Sequence, residues 1–202
     1  MNTLHIDDFK GKRLHLIGIG GTSMNGLAMI LNQKGYVVTG SDRGESPFTR
    51  RLAELGIPVA IGQTEANVHG ADMVIYSAAI KPENPERAEA RRLGIPEMER
   101  SELLGQLSSQ YGTVVGVAGC HGKTTITSML ALITMEAKLD PTVHVGGFVD
   151  FLQGGIALGN SSLFLTEACE YVESFLHIHP THVIINNIDN DHLDYFGDME
   201  HI

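Results

Sequence analysis

Lys123 and its neighbours are the residues best equipped to act on phosphate. The stretch Val114-Val115-Gly116-Val117-Ala118-Gly119-Cys120-His121-Gly122-Lys123-Thr124-Thr125 reads as a buried strand that runs into a Gly-Lys-Thr triplet, the ending of a Walker A loop. Glycines at 116, 119 and 122 let the backbone approach phosphate closely. The N–H groups around Gly122, the N-terminus of a helix starting near Lys123 and the Lys123 ammonium together form a cradle for several anionic oxygens. Thr124 then offers its hydroxyl to Mg²⁺, so an ATP-type ligand is the first inference. An ordinary glycine-rich turn would require neither the triplet nor the apolar helix behind it, with Ile126, Met129, Leu130 and Ile133. A strand at 162–166 delivers Glu167 to its carboxyl end, where a carboxylate can hold the other side of a Mg²⁺-nucleotide, directly or through water. The plainer alternative for Glu167 is a surface acid. A last strand at 182–188 delivers Asp189, Asp191 and His192, three potential ligands at one strand end. His177, His179 and His182 read as a helix-to-strand connection with scattered histidines in preference to a metal site.

A second glycine turn, Gly18-Ile19-Gly20-Gly21-Thr22-Ser23-Met24, follows a short strand at 13–17. Behind it Met24, Leu27, Ala28 and Leu31 recur at helical spacing, Gly35 marks a stop, and a strand at 36–40 completes a βαβ unit. Ser23 stands at the third glycine position of the dinucleotide fingerprint, while Asp42 lies about 20 residues on, where a carboxylate meets ribose hydroxyls. A nucleotide or diphosphate is expected there; an NAD-dependent oxidoreductase is the enzyme alternative, and it leaves Lys123, Thr124 and Glu167 without work. Ser77 sits at the carboxyl end of the strand 73–76, the edge where open α/β sheets bind ligands, although by spacing alone it reads as a turn or cap residue.

The elements that must position these residues alternate. A helix near 47–55, a strand at 57–61, the strand 73–76, a helix opened by Asn84-Pro85-Glu86, a strand at 95–98 and a helix from Ser101 to about 108 form a run typical of a mostly parallel sheet covered on both faces. The boundary falls at Ser108-Ser109-Gln110-Tyr111-Gly112, giving domains 1–108 and 109–202. Beyond the Walker helix, Asp140-Pro141-Thr142 predicts a turn, 143–145 a short strand and Gly146-Gly147 a sharp bend. Of 202 residues 43% are hydrophobic and no apolar run is long enough to span a bilayer, so a globular α/β protein is expected. A formal charge of −10 without a basic cluster argues against nucleic acid or an anionic membrane as partner. Two cysteines, Cys120 and Cys169, and an N-terminus without the build of a signal peptide point to the cytoplasm.

With these residues in hand the chain resembles the Mur ligase family over essentially its whole length. The resemblance rests on the first glycine turn, Gly40-Ser41-Asp42, Ser77-Ala78-Ala79-Ile80 with Asn84-Pro85-Glu86, Gly119 to Thr125, Glu167-Ala168-Cys169-Glu170-Tyr171, Phe175-Leu176 with His179-Pro180, and Asn187-Ile188-Asp189 with Asp191-His192-Leu193-Asp194. It implies a Rossmann-like UDP-binding domain followed by part of a P-loop ATPase central domain. The implied reaction joins L-alanine to UDP-N-acetylmuramate through an acyl phosphate made from ATP; the Phe-Leu-x-x-His-Pro stretch favours this branch over the muropeptide-recycling relative. The resemblance places Gly119, Cys120, His121, Gly122, Lys123, Thr124 and Thr125 on ATP. It gives Lys123, Glu167 and His192 to catalysis and Thr124, Glu167 and His192 to Mg²⁺, with Mn²⁺ able to substitute. Gly18, Gly20, Gly21, Thr22, Ser23, Met24, Asp42, Ser77 and Asn187 are placed on the UDP-sugar. Family members commonly carry Thr, Asp and Asp where this chain has Cys120, Cys169 and Val172, which leaves the role of Glu170 open. Because the family continues well beyond these motifs, the chain by itself is expected to be inactive, to self-associate through apolar surface, or to act only as a non-catalytic nucleotide-binding module.

Overall fold

The computed structural model describes residues 4–189 and residue 195. The chain divides into two compact units, 1–103 and 104–202, each with a five-stranded sheet among the described residues. The first unit contains β1 (Arg13–Ile17), α1 (Thr22–Gln33), β2 (Val37–Asp42), α2 (Pro47–Glu54), β3 (Val59–Ile61), β4 (Met73–Tyr76), α3 (Pro85–Leu93) and β5 (Glu97–Glu99). Helix α4 (Arg100–Ser108) runs across the boundary between the units. All pairings in this sheet are parallel, in the order β3-β2-β1-β4-β5. That Rossmann-like order reverses direction beside β1, so the turns after β1, β2 and β4 open at one sheet edge.

Local chemistry explains the element ends. Ser46 and Thr49 form a reciprocal capping box at α2, with Pro47 in the first turn. Asn84 accepts the N–H groups of Glu86 and Arg87 at the start of α3. The first unit also holds a fully buried carboxylate: Glu86 accepts the Ser41 hydroxyl at 2.6 Å and the Asn67 amide at 2.5 Å, with His15 Nε2 at 3.5 Å. A buried charge is tolerable only with such partners, and these tie the start of α3 to β1 and β2.

The second unit contains β6 (Thr113–Ala118), α5 (Lys123–Glu136), β7 (Thr142–Val149), β8 (Gly154–Ala157), β9 (Leu163–Glu167) and β10 (His182–Ile185), in the order β10-β6-β9-β7-β8. Only β7 and β8 pair antiparallel among the described residues. Ala131 of α5 packs with Val143, Val145, Val149, Leu152 and Leu165 into the core, and buried Phe164 lies against the Tyr111 ring at 4.9 Å between centroids.

Four local expectations change. Gly146 and Gly147 do not bend sharply but stay within β7, where pairing with β8 is interrupted between His144 and Val149; an irregular strand needs no reversal of direction. Strand β8 was hidden in Gly154-Gly155-Ile156-Ala157, a sequence of weak strand propensity. The final strand ends at Ile185, because Asn186 and its successors turn aside onto the loop after β6. On α5 the apolar residues Met129 and Ile133 are 57% and 62% exposed, while Thr127 and Ala131 face inward.

Candidate functional site

The Gly-Lys-Thr loop joins β6 directly to α5, and Gly122 caps that helix at φ 84°. A left-handed residue is needed to turn the strand into the helix while leaving N–H groups pointed outward, and glycine adopts it without strain. Lys123 Nζ folds back across the loop and donates to the Gly119 carbonyl at 2.7 Å. It also meets both carboxylate oxygens of Glu170, at 2.9 and 3.0 Å. The residues after β10 lie against the same loop. The His121 N–H donates to Asn187 Oδ1 at 2.9 Å, and the His121 carbonyl accepts from Asn186 and Asn187 at 2.6 and 2.8 Å. The Cys120 thiol donates to the Asp189 carbonyl and accepts the Asp189 N–H, at 3.1 and 3.2 Å.

Glu167 ends β9 beside this loop, level with Val117 of β6. Its Oε2 accepts the Gly146 N–H at 3.1 Å, while Oε1 is buried with no hydrogen-bond partner among the described residues. A carboxylate oxygen desolvated without a donor is costly, and a hard divalent cation satisfies it. The Thr124 side chain reaches the same stretch of β7: its Oγ1 lies 3.7 Å from where a Cβ on Gly147 would stand. Glu167 and Thr124 therefore converge on Gly146-Gly147, and the oxygen donors they supply fit Mg²⁺. His192, the third expected ligand, and Asp191 lie outside the described residues. Thr125 is exposed on the first turn of α5.

In the first unit the Gly18 and Ile19 N–H groups both donate to the Ser41 carbonyl, at 2.8 and 3.0 Å, pinning the glycine turn to β2. The next residue, Asp42, accepts the Gly20 N–H at 2.8 Å. A Cβ on Gly20 would stand 2.8 Å from that carboxylate oxygen, so only glycine permits this approach. Gly21 caps α1 with no side-chain bond, and Thr22, Ser23 and Met24 form the first turn. Ser23 accepts from Arg100 at 3.2 Å and Met24 is buried. The Ser77 carbonyl closes a turn with Ile80, whose side chain lies 3.6 Å from where a Cβ on Gly18 would stand. Gly18, Gly20, Gly21, Asp42 and the Ser77 turn are thus gathered at one sheet edge. Asn187 belongs to the second unit and is bonded to the loop after β6.

Sequence reasoning did not find the Glu170 contact to Lys123, the pairing of Asn186 with the loop, or the Glu86 anchor. Glu170 and Glu86 stood inside quoted motifs, but pattern does not reveal what a carboxylate touches.

A Rossmann-like unit followed by a second unit in which a Gly-Lys-Thr loop joins strand to helix, with an acid on the adjacent strand, defines an α/β protein of two sheet-based units. Residues 13–112 match the family described as "Mur ligase family, catalytic domain" and residues 117–202 the "Mur ligase middle domain". The chain belongs to the Mur ligase family. It is 50% identical over 197 residues to the UDP-N-acetylmuramate--L-alanine ligase of Acetivibrio thermocellus, covering 98% of this chain and 42% of that protein. With the enzyme of the same name from Alkaliphilus metalliredigens it shares 50% over 202 residues, all of this chain and 44% of the relative. The chain therefore spans less than half the length of these curated relatives. Among solved structures, UDP-N-acetylmuramate-alanine ligase from Thermotoga maritima superposes with a TM-score of 0.84 at 32% identity, covering 93% of this chain and 44% of that one. The UDP-N-acetylmuramate:L-alanyl-gamma-D-glutamyl-meso-diaminopimelate ligase from Neisseria meningitides gives 0.84 at 33% identity, with coverage of 94% and 64%.

Proposed function

We propose that a protein carrying these two domains joins L-alanine to UDP-N-acetylmuramate, with conversion of ATP to ADP, in cytoplasmic synthesis of peptidoglycan precursors. The observation that carries this is the placement of Lys123, at the start of α5, beside the neighbouring strand end where Glu167 keeps an oxygen with no hydrogen-bond partner among the described residues, next to a glycine loop shaped for phosphate. The names of relatives at 50% identity support the choice of substrates. A muropeptide-recycling ligase is the second reading, favoured by the equally good superposition on the Neisseria enzyme. The Phe175-Leu176 and His179-Pro180 stretch supports the first.

The chemistry gives each residue a task. A carboxylate cannot expel oxide toward an amine, so its oxygen first takes the γ-phosphoryl group of ATP, with ADP leaving, and the amine attacks the resulting acyl phosphate, losing a proton and expelling inorganic phosphate. Two anions must therefore approach each other, and Lys123 lowers their repulsion by holding the β/γ-phosphates. The N–H groups from Gly119 to Thr125 orient those phosphates, and Thr124 and Glu167 would hold Mg²⁺, or Mn²⁺ in its place. When bound, the ion neutralises phosphate charge that builds during transfer. His192 is assigned to a second ion and Asn187 to the sugar acid. Residues 1–108 form the UDP-sugar half, with the Gly18–Met24 turn, Asp42 and Ser77, and residues 109–202 the ATP half. No nucleic acid or membrane partner is assigned; no described helix is long and apolar enough to cross a bilayer. The exposed Met129, Ile133, Val183 and Ile185 support self-association.

Calorimetric titration with UDP-N-acetylmuramate, ATP and NADH tests the reading. UDP-N-acetylmuramate and ATP are expected to bind independently, and NADH not at all. Preference of the first unit for NADH would support the oxidoreductase alternative and overturn the assignment.

A further inference from the structure

Lys123 is not free to meet a phosphate as it stands. Its side chain is 14% exposed and that of Glu170 13%, and both carboxylate oxygens of Glu170 sit on the lysine nitrogen at 2.9 and 3.0 Å. Two loop carbonyls, Gly119 at 2.7 Å and Cys120 at 3.4 Å, complete the set of acceptors among the described residues. An ammonium has three protons and no further capacity, so each strong contact to a phosphate oxygen must displace one of these. The carbonyls belong to the loop itself. Glu170 does not, and as the only charged member of this set it presents two anionic oxygens to the lysine much as a phosphate would.

Its position makes the contact selective. Glu170 stands three residues beyond Glu167, past the end of β9, and lines a cavity of about 160 Å³ with Gly119, Cys120, Phe175 and Asn187. Glu167 instead faces Gly146, so the two acids serve different groups. One keeps a buried oxygen without a donor among the described residues, and the other covers the cation the loop already has.

We propose that Glu170 is a built-in competitor for the nucleotide: its carboxylate occupies the place of a phosphate on Lys123, and its displacement sets how tightly the loop takes a nucleoside triphosphate. This rests on the assignment of the loop to ATP and adds to it a residue that weakens binding. Losing a carboxylate from the ion pair also removes a negative charge facing the incoming phosphates, so both effects of its removal have the same sign.

The test is titration of the whole chain with ATP, and separately with inorganic tripolyphosphate, for the wild type, Glu170→Gln, Glu170→Asp and Lys123→Ala. Glu170→Gln is expected to tighten both ligands about tenfold, or about 1.4 kcal/mol. Glu170→Asp, too short to keep both contacts, should fall between. In the double variant Glu170→Gln/Lys123→Ala the gain over Lys123→Ala should shrink to the smaller part due to eased repulsion, which separates competition at Lys123 from a change in the fold, and an undiminished gain would overturn competition at Lys123. If Glu170→Gln binds ATP equally or more weakly than wild type, the proposal is overturned and Glu170 becomes a support of the loop or of the ion. If the wild type and every variant fail to bind ATP, it is the assignment of the loop that fails, and the proposal with it.

Discussion

In the first unit the glycine turn offers backbone N–H groups, a helix N-terminus and the Thr22 and Ser23 hydroxyls but has no cationic side chain of its own; Arg100 reaches it through Ser23, and one of its N–H groups is held by Asp42. In the second unit the glycine loop offers the same kind of donors and adds a cation, which is held by Glu170. Both loops follow a parallel strand at the carboxyl edge of a sheet, so the difference lies in side chains rather than topology. A cradle of neutral dipoles suits a diphosphate that is bound and left unchanged. A long, movable ammonium suits phosphate whose charge shifts during reaction. The loops are also guarded differently: Asp42 answers a neutral donor and is itself a candidate ribose contact, whereas Glu170 neutralises a full charge. Displacing Glu170 should therefore cost more than displacing Asp42.

The two-site contrast can be broken in order of effect. Phe164→Ala empties a fully buried site against Tyr111 and should destabilise the second unit by about 3–5 kcal/mol in chemical denaturation. ATP binding should fall first while UDP-N-acetylmuramate binding persists, and simultaneous loss of both would show that the units do not act separately. Lys123→Ala should weaken ATP about a hundredfold, or about 2.7 kcal/mol, with UDP-N-acetylmuramate unchanged by calorimetry; equal loss of both ligands would end the contrast. Asp42→Asn should weaken UDP-N-acetylmuramate about tenfold and leave ATP untouched, and a reversed pattern would place the sugar nucleotide elsewhere.

The smallest effect concerns pH. The Arg92 and His69 side chains bonded to Glu89 hold its carboxyl down at about 2, against an ordinary 4.5. A depressed pKa in the folded chain means this contribution to stability is complete above the ordinary carboxylate range and is lost as pH falls toward 2. Denaturant midpoints measured between those limits should drop less steeply for Glu89→Gln than for the wild type. An identical slope would show that the pair contributes nothing measurable.

Much of the architecture was legible because it rests on local rules. The alternation of apolar runs with capped helices announced a parallel sheet, and Ser46, Asn84 and Pro85 marked helix starts by hydrogen bonds within a few residues. The Gly-Lys-Thr triplet announced a phosphate loop because the backbone geometry it needs is written in adjacent positions. Asp42 lies beside the first glycine turn, since parallel pairing of β1 and β2 sets that distance; its role there is a proposal.

What only the tertiary structure decided depended on partners far apart in the chain. No periodicity says that Glu170 will lie on Lys123, 47 residues away, or that Glu86 will bury its charge against Ser41, 45 residues away. Nor does the Gly146-Gly147 pair, read alone, distinguish a bend from a strand kept bare where Thr124 and Glu167 arrive. Sequence determined which groups follow most of the strands, because strand-to-turn boundaries and local capping follow from short-range preferences. Which acid keeps a buried oxygen without a donor among the described residues and which is spent on the lysine was settled by packing, since a carboxylate's role is fixed by the donors around it and those come from other parts of the chain.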